Sequence, residues 1–221
     1  MAKVFIGVGH GGSDPGAVAN GTKEKDLNLS IALACRDELV RHGVEVRMSR
    51  SKDEDDPVSD EVKECNSYGP TFAVSIHCNA GGGDGGEVFY HHGGGKGKTL
   101  AENILAEMVK AGQNSRGIKT RVNSQGKDYY AFIRNTSCPS VIVECAFVDN
   151  ATDRQIVATE DKRKAMGVAI AKGILKSVGV AYQGERGYWK VQVGAYLVKE
   201  NAVAMQKKIK AVGFDAFIVK E

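Results

Sequence analysis

Metal-binding and disulfide-forming cysteine patterns are missing from this sequence. It has five cysteines in 221 residues, an odd number, and no two of them form a CxxC pair. A zinc site built from thiolates is therefore not expected. Cys35, Cys78 and Cys145 lie in apolar helix or strand patterns, which predicts buried free thiols in a reducing compartment rather than a disulfide framework.

Long apolar segments are also missing. No apolar run approaches the roughly 20 residues that span a bilayer, so we expect no membrane insertion. The chain begins Met1-Ala2-Lys3 and enters an apolar strand pattern at once, without the apolar region of a signal peptide. We therefore expect a protein that is made in the cytoplasm without an export signal.

Nucleotide-binding fingerprints are the third absence. The loop Gly9–Gly16, GHGGSDPG, has neither the GxGxxG nor the GxxxxGK[ST] spacing of a phosphate cradle. The net charge is only +3, and residues 183–221 carry all of it, with seven basic and four acidic side chains. That excess indicates either a tail that meets an anionic surface or a few solvated lysines. We expect no nucleic-acid partner.

Two apolar strand patterns lead into histidines followed by small residues. Thr71–Ala80 carries His77 near its end, and Lys3–Val8 leads into His10. Ligands of open α/β sheets bind at the carboxyl ends of the strands. Two histidines at such ends predict one shared site, and imidazole pairs favour a metal ion.

The remaining periodicity predicts an α/β fold with a single twisted, mostly parallel sheet flanked by helices. The predicted strands are Lys3–Val8, Val44–Ser49, Thr71–Ala80, Glu87–His92, Tyr129–Ile133 and Ser140–Ala146. The predicted helices are Leu27–His42, Pro57–Tyr68, Lys98–Gly112 and Asp161–Val178.

The carboxyl-terminal part has its own organisation. We predict a first domain over residues 1–181, a polar linker over 182–187 and a βαβ module over 188–221. Its elements are a strand Tyr188–Ala195, a helix Lys199–Val212 and a strand Phe214–Val219. A unit of this size is too small to bury a core alone, so it is expected to dock, to dimerise or to be half of a larger module.

Two carboxylates stand out. Glu144 lies inside the apolar strand SVIVECA, where a charge is costly unless it is paired or linked to a metal; the alternative is an ion pair with Arg134. Glu24 precedes the first helix, and its alternative reading is a carboxylate that interacts with the helix dipole.

The other histidines are assigned simpler roles. His91 and His92 are adjacent in a strand pattern, so they are predicted to face opposite sides, where both cannot easily bind one ion, and are interpreted as surface residues at the end of the strand. His42 is predicted to interact with the carboxyl end of its helix.

Four ordered blocks resemble a known family. GHGGSDPGA, EKDLNL, SIHCNA and FIRNTSCPSVIVECAFVDN are similar to the zinc-dependent N-acetylmuramoyl-L-alanine amidases of the amidase-3 type, cell-wall lytic enzymes of bacteria and their phages. The resemblance spans roughly residues 3–178. The tail YWKVQVGAYLVKENAVAMQKKIKAVGFDAFIVK resembles the first half of a SPOR-type peptidoglycan-binding repeat, a ferredoxin-like fold of two βαβ halves.

The resemblance implies the roles of the site residues. Zinc ligands fall on His10, Glu24 and His77, and the catalytic carboxylate falls on Glu144. The family often has an acidic residue three positions before the first ligand, where this chain has Gly7. A partner for His10 from that position is therefore not expected.

The implied reaction is hydrolysis of the amide between N-acetylmuramic acid and L-alanine of peptidoglycan, with one Zn²⁺ ion and Glu144 as base. Asn79 and Arg134 are candidates for orienting the substrate. The alternatives are a zinc peptidase acting on the stem peptide and a non-catalytic wall-binding protein. A half repeat suggests a homodimer, and a missing export signal suggests a phage endolysin or an autolysin released when a mother cell lyses.

Overall fold

The apolar strand patterns pair into one six-stranded sheet. The computed structural model describes residues 2–184 and 193–219. Its strands are β1 Lys3–Val8, β2 Val18–Ala19, β3 Thr22–Lys23, β4 Glu45–Met48, β5 Phe72–Asn79, β6 Gly86–Tyr90, β7 Ser115–Lys119 and β8 Ser140–Phe147. The order across the sheet is β4-β1-β5-β8-β6-β7, and β2 and β3 form a separate hairpin.

The sheet is mostly parallel, as predicted. β4, β1, β5 and β8 run in one direction, and β6 pairs with β8 in the antiparallel sense while β7 runs parallel to β6. The helices are α1 Glu24–Arg41, α2 Val58–Tyr68, α3 Gly95–Lys110, α4 Ala131–Asn135, α5 Ala151–Ile156, α6 Glu160–Val178 and α7 Lys199–Ala211. The predicted α/β class is confirmed.

Strand alternation divides the core between the two faces of the sheet. Val4, Ile6 and Val8 point to the larger face and join the main cluster, where α6 packs against α1 and α3. Phe5 points to the smaller face, where it joins a second cluster that includes Phe132 of α4. His77 and Glu144 lie on this smaller face, because Ala73 and Ile142, which share their alternation in β5 and β8, join the same cluster as Phe5.

Several segments of the first unit differ from the predictions, and α5 and the β2–β3 hairpin are additional elements. Tyr129–Ile133 was predicted to be a strand, but residues 131–135 form the short helix α4. Its aromatic and branched residues favour a strand by propensity, yet Phe132 and Ile133 are both buried although they are neighbours, as a helical turn permits and a half-exposed strand does not. Ser115–Lys119, which is not among the predicted strands, forms β7 and extends the sheet edge.

The chain divides into two units, Met1–Tyr182 and Gln183–Glu221. In the second unit, α7 matches the predicted helix Lys199–Val212 to within one residue. The predicted strand Tyr188–Ala195 lies largely outside the described residues. Residues 214–219 were predicted to form a strand, but they form none; a strand needs a partner edge, and the described part of this unit supplies none.

The predicted free thiols are confirmed, since all five cysteines are unpaired and four of them are buried. Among the described residues, no helix has both the length and the apolar character needed to cross a membrane.

A close helix contact offers a test of this core. A Cβ atom added at Gly173 of α6 would lie 2.5 Å from Ile104 Cα of α3. We expect Gly173→Ala to lower the free energy of unfolding, because overpacking of about 1–3 kcal/mol exceeds the gain of at most about 1 kcal/mol in helix propensity. Urea unfolding measures this. Gly184→Ala is the control, because a Cβ there meets nothing within 4 Å. An equal decrease in the free energy of unfolding of both variants would contradict the packing argument.

Candidate active site

Glu24 brings two histidines together at the carboxyl edge of the sheet. It is the first residue of α1, where the helix dipole favours a carboxylate, and its side chain is buried. Glu24 Oε2 lies 3.2 Å from His10 Nε2, and Glu24 Oε1 lies 3.2 Å from His77 Nδ1. The structure therefore places the three predicted ligands in one cluster, although they come from three separate elements.

The surrounding backbone holds Glu24 in place. The N–H groups of Ala17 and Cys78 donate to its two carboxylate oxygens, at 2.9 and 3.1 Å. Burial alone raises the pKa of Glu24, but its contacts with His10 and His77 outweigh burial and hold that pKa well below its usual range. The hydrogen bond to Glu24 in turn raises the pKa of His10 to about 9.

Each imidazole has its own positioning contact. Asp14 Oδ2 lies 2.7 Å from His10 Nδ1, which leaves Nε2 of His10 directed at Glu24. Asp14 thus takes the position of the carboxylate that commonly orients a metal-bound histidine. His77 lies over Gly9, where an added Cβ would be 2.1 Å from the imidazole ring. Only glycine at position 9 leaves room for His77.

The donor set fits a zinc ion. Zn–N and Zn–O bonds of about 2.0–2.2 Å place tetrahedral ligand atoms about 3.3 Å apart, close to the two 3.2 Å separations around Glu24. Two imidazoles and one carboxylate also leave a fourth position open, as in catalytic zinc sites. The three ligand atoms lie within 4.8 Å of one another.

Glu144 stands beside this cluster without a cation of its own. It pairs in register with His77 on the neighbouring strand, so both side chains share one face. Its Oε2 atom is buried and has no hydrogen-bond partner among the described residues. Burial raises the pKa of Glu144 to about 7. The alternative ion pair with Arg134 is absent from the ion pairs of the described chain; Arg134 Nη1 donates instead to the carbonyl oxygens of Asp128 and Tyr129, both at 2.8 Å.

The next carboxylate in the same row has a different environment. Glu87 faces Glu144 across β6 and β8, and Arg116 and Lys119 both form ion pairs with it. Asn79 Nδ2 donates to Glu87 Oε1 at 3.0 Å. Asn79 is therefore held by the protein itself, and its role in orienting substrate stays a prediction, as does that of Arg134.

Glu61 is a residue that the sequence reasoning did not single out. It comes from α2, is buried, and accepts a hydrogen bond from Ser75 Oγ at 3.2 Å. A Cβ added at Gly7 would lie 1.7 Å from Glu61 Oε1, so Glu61 occupies the space that a side chain at position 7 would take. In the sequence, only Gly7 pointed to Glu61, because a glycine in a core strand leaves space that a side chain from another element can fill.

These groups line a cavity of about 310 Å³. His10, His77 and Glu144 line it, and so does Glu61, while Tyr130 and other apolar or aromatic side chains form its walls. The cavity can therefore hold a reacting group against both the candidate metal ligands and the unpaired Glu144.

The structure confirms that His91 and His92 are exposed residues at the end of a strand, but it contradicts the prediction that they face opposite sides. Strand β6 ends at Tyr90, so strand alternation does not apply to the two residues that follow. Their rings stack at a centroid distance of 4.7 Å, and both contact Asp128. At the end of α1, His42 Nδ1 lies 2.8 Å from the carbonyl oxygen of Glu38, a contact of the kind predicted for it.

A two-histidine, one-glutamate cluster beside an unpaired carboxylate, at the carboxyl edge of a mostly parallel sheet, is typical of a metal-dependent hydrolase. The sequence profile of the amidase-3 family, described as N-acetylmuramoyl-L-alanine amidase, matches residues 4–176. The chain belongs to this family. A SPOR domain profile matches residues 159–220, and the first part of that match is α6, which packs within the first unit.

Individual relatives support this family assignment. The sporulation-specific N-acetylmuramoyl-L-alanine amidase of Bacillus subtilis is 34% identical over 99% of this chain and 85% of its own length. Among solved structures, Cwp6 from Clostridium difficile has a TM-score of 0.79 and 38% identity, covering 80% of this chain but 29% of its own. The catalytic domain of CwlV, an N-acetylmuramoyl-L-alanine amidase from Bacillus (Paenibacillus) polymyxa, has a TM-score of 0.74 and 29% identity, covering 82% of this chain and all of its own.

The environment of Glu61 makes stability depend on pH. Burial raises the pKa of Glu61 from 4.5 to about 7, so the folded chain holds this proton more tightly than the unfolded chain. The resulting stabilisation is complete below pH 4.5 and is lost as the pH rises through about 7. Glu61→Gln has no such proton and can still accept from Ser75.

We therefore expect Glu61→Gln to gain stability over the parent as the pH rises from 5 to 8, by on the order of 2–3 kcal/mol. Urea unfolding of the metal-free protein at both pH values measures the difference. Asp60→Asn, an exposed position on the same helix, is the control. If the free energies of unfolding of Glu61→Gln and the parent differed by the same amount at both pH values, the raised pKa of Glu61 would be contradicted.

Proposed function

We propose that His10, Glu24 and His77 hold one zinc ion, and that the chain uses it to hydrolyse the amide between N-acetylmuramic acid and L-alanine in peptidoglycan. The observation that carries the proposal is the convergence of these three side chains beside Glu144, whose buried Oε2 has no partner among the described residues. Membership of the amidase-3 family supports the choice of the scissile bond.

The chemistry divides between the ion and the protein. A zinc ion bound there supplies Lewis-acid polarisation of the amide carbonyl and lowers the pKa of a water molecule towards 7. Glu144 accepts a proton from the attacking water and then donates a proton to the leaving amine of L-alanine. Asp14 and Gly9 keep the two imidazoles in place during both steps.

The environment of Glu144 suits both steps. A group that first accepts and then donates a proton works best when its pKa lies near the working pH, and burial raises the pKa of Glu144 to about 7. The apolar walls of the cavity maintain that burial. An ion pair with a lysine or arginine would lower the pKa and remove this property.

We further propose that residues 188–221 form half of a SPOR-type module that binds peptidoglycan. The described part of this unit buries none of the residues of α7 and exposes Leu197, Phe214 and Phe217. Exposed apolar groups of this size need a partner surface. Pairing with a second copy would supply one, so a homodimer through the tail is part of the proposal, and the bacterial cell wall is the proposed place of action.

Glu144→Gln tests the base. We expect purified peptidoglycan to be cleaved at least about 100-fold more slowly, because the side-chain amide of the variant cannot accept the proton of the attacking water. The zinc content measured by mass spectrometry should stay at the parent value. Glu102→Gln, an exposed glutamate on α3, is the control. A Glu144→Gln variant that cleaves as fast as the parent would rule out this role and would favour a wall-binding protein.

The products of the same digestion test the bond. An amidase releases new L-alanine amino termini and intact stem peptides, with no new reducing sugar ends. New amino termini within the stem peptide would instead identify a zinc peptidase.

Metal removal tests the ion. We expect a chelator to abolish cleavage by the parent and added Zn²⁺ to restore it, because the substrate carbonyl then regains its polarising ion. Glu144→Gln should bind Zn²⁺ again without recovering activity. Cleavage that continues in chelator, with zinc absent by elemental analysis, would refute the zinc-dependent mechanism.

A further inference from the structure

A second cluster of metal-binding side chains lies outside the catalytic cavity. Asp128 Oδ2 is 3.0 Å from His91 Nε2 and 2.7 Å from His92 Nδ1. The carboxylate is buried, with 3% of its side chain exposed, whereas 49% and 43% of the two histidine side chains are exposed. A buried anion thus lies beneath two imidazoles that solvent can reach.

We propose that His91, His92 and Asp128 form a second site for one divalent transition-metal ion of the zinc class. Two imidazole nitrogens and a carboxylate oxygen are donors that Zn²⁺ and its neighbours prefer. The three donor atoms lie within 4.8 Å of one another. The 2.7 and 3.0 Å separations need to widen only slightly to the roughly 3.3 Å of a tetrahedral site, and both histidines lie after the end of β6, where their side chains can adjust.

The protein orients the carboxylate for this role. Asp128 Oδ1 accepts the backbone N–H of His92 at 2.9 Å, which leaves Oδ2 for the cluster. The nearby cation, Arg134, donates to the carbonyl oxygen of Asp128 rather than to its carboxylate. Metal binding at His91 Nε2 would break the hydrogen bond that Gly93 N–H donates to His91 Nδ1. The free energy lost with this bond is small compared with the binding free energy of a three-ligand metal site.

An ion here would fasten two segments that the chain brings together. His91 and His92 follow β6, and Asp128 belongs to the loop before α4. That loop continues into Tyr130, which packs on Phe89 at a centroid distance of 4.9 Å and lines the catalytic cavity. The second ion would therefore stabilise a wall of the cavity without touching the reacting groups.

The test counts zinc ions in the untagged full-length chain and in four variants. Equilibration with Zn²⁺ and elemental analysis should find two ions per chain in the parent and one in His91→Phe, which keeps a ring to stack on His92 but loses the ligand nitrogen. His10→Ala/His77→Ala should also keep one ion, and the combination of all three substitutions should bind none. Lys96→Ala, an exposed position nearby, should still bind two.

A stability measurement in the His10→Ala/His77→Ala background isolates the second site. Added Zn²⁺ should raise the melting temperature there, and His91→Phe should weaken the apparent zinc affinity by at least about tenfold. An ion count and a zinc response that His91→Phe leaves unchanged would overturn the proposal and reduce the cluster to hydrogen bonds on Asp128. Because the background lacks two catalytic ligands, this result is independent of the proposed amidase activity.

Discussion

The contact between one buried carboxylate and two imidazoles organises the site. Glu24 begins α1, and its two oxygens face His10 and His77, each at 3.2 Å. Removing a carboxylate from water is costly unless several hydrogen bonds compensate, and here backbone N–H groups share that work with the imidazoles. The first helix, the loop after β1 and the end of β5 are therefore held in one arrangement by a single anion, which a divalent cation would stabilise further.

Missing side chains are as important to this arrangement as the ligands. Gly9 leaves the space that the ring of His77 occupies, and Gly7 leaves the space that Glu61 occupies. Both glycines belong to the β1 segment and lie on the smaller face of the sheet. The larger face, covered by α1, α3 and α6, supplies most of the buried apolar surface. Most of the apolar core and the cavity thus lie on opposite faces of one sheet, and α1 serves both, because Glu24 at its start reaches the site.

The sequence predicted the parts of the site that strand periodicity controls. His77 near the end of an apolar strand and Glu144 inside another interrupt the apolar pattern, so local pattern alone marked both as candidates for a site. Glu61 could not be found this way, because its place depends on how α2 packs over a glycine in a distant strand. The contact of His91 with Asp128 depends likewise on where β6 ends. Tyr129–Ile133 shows the same limit for secondary structure, since packing on the smaller face overrides strand propensity there.

The row of side chains across β5, β8 and β6 shows how one sheet can prepare two carboxylates differently. Glu87 and Glu144 face each other in register, and both are largely buried. Arg116 and Lys119 come from β7, next to β6, and reach Glu87. Glu144 lies one strand further from that edge, beside His77, and its Oε2 atom has no hydrogen-bond partner in residues 2–184 and 193–219. The position of β7 at the sheet edge thus supplies both ion pairs of Glu87, while Glu144 on the far side of β6 has none with the described residues.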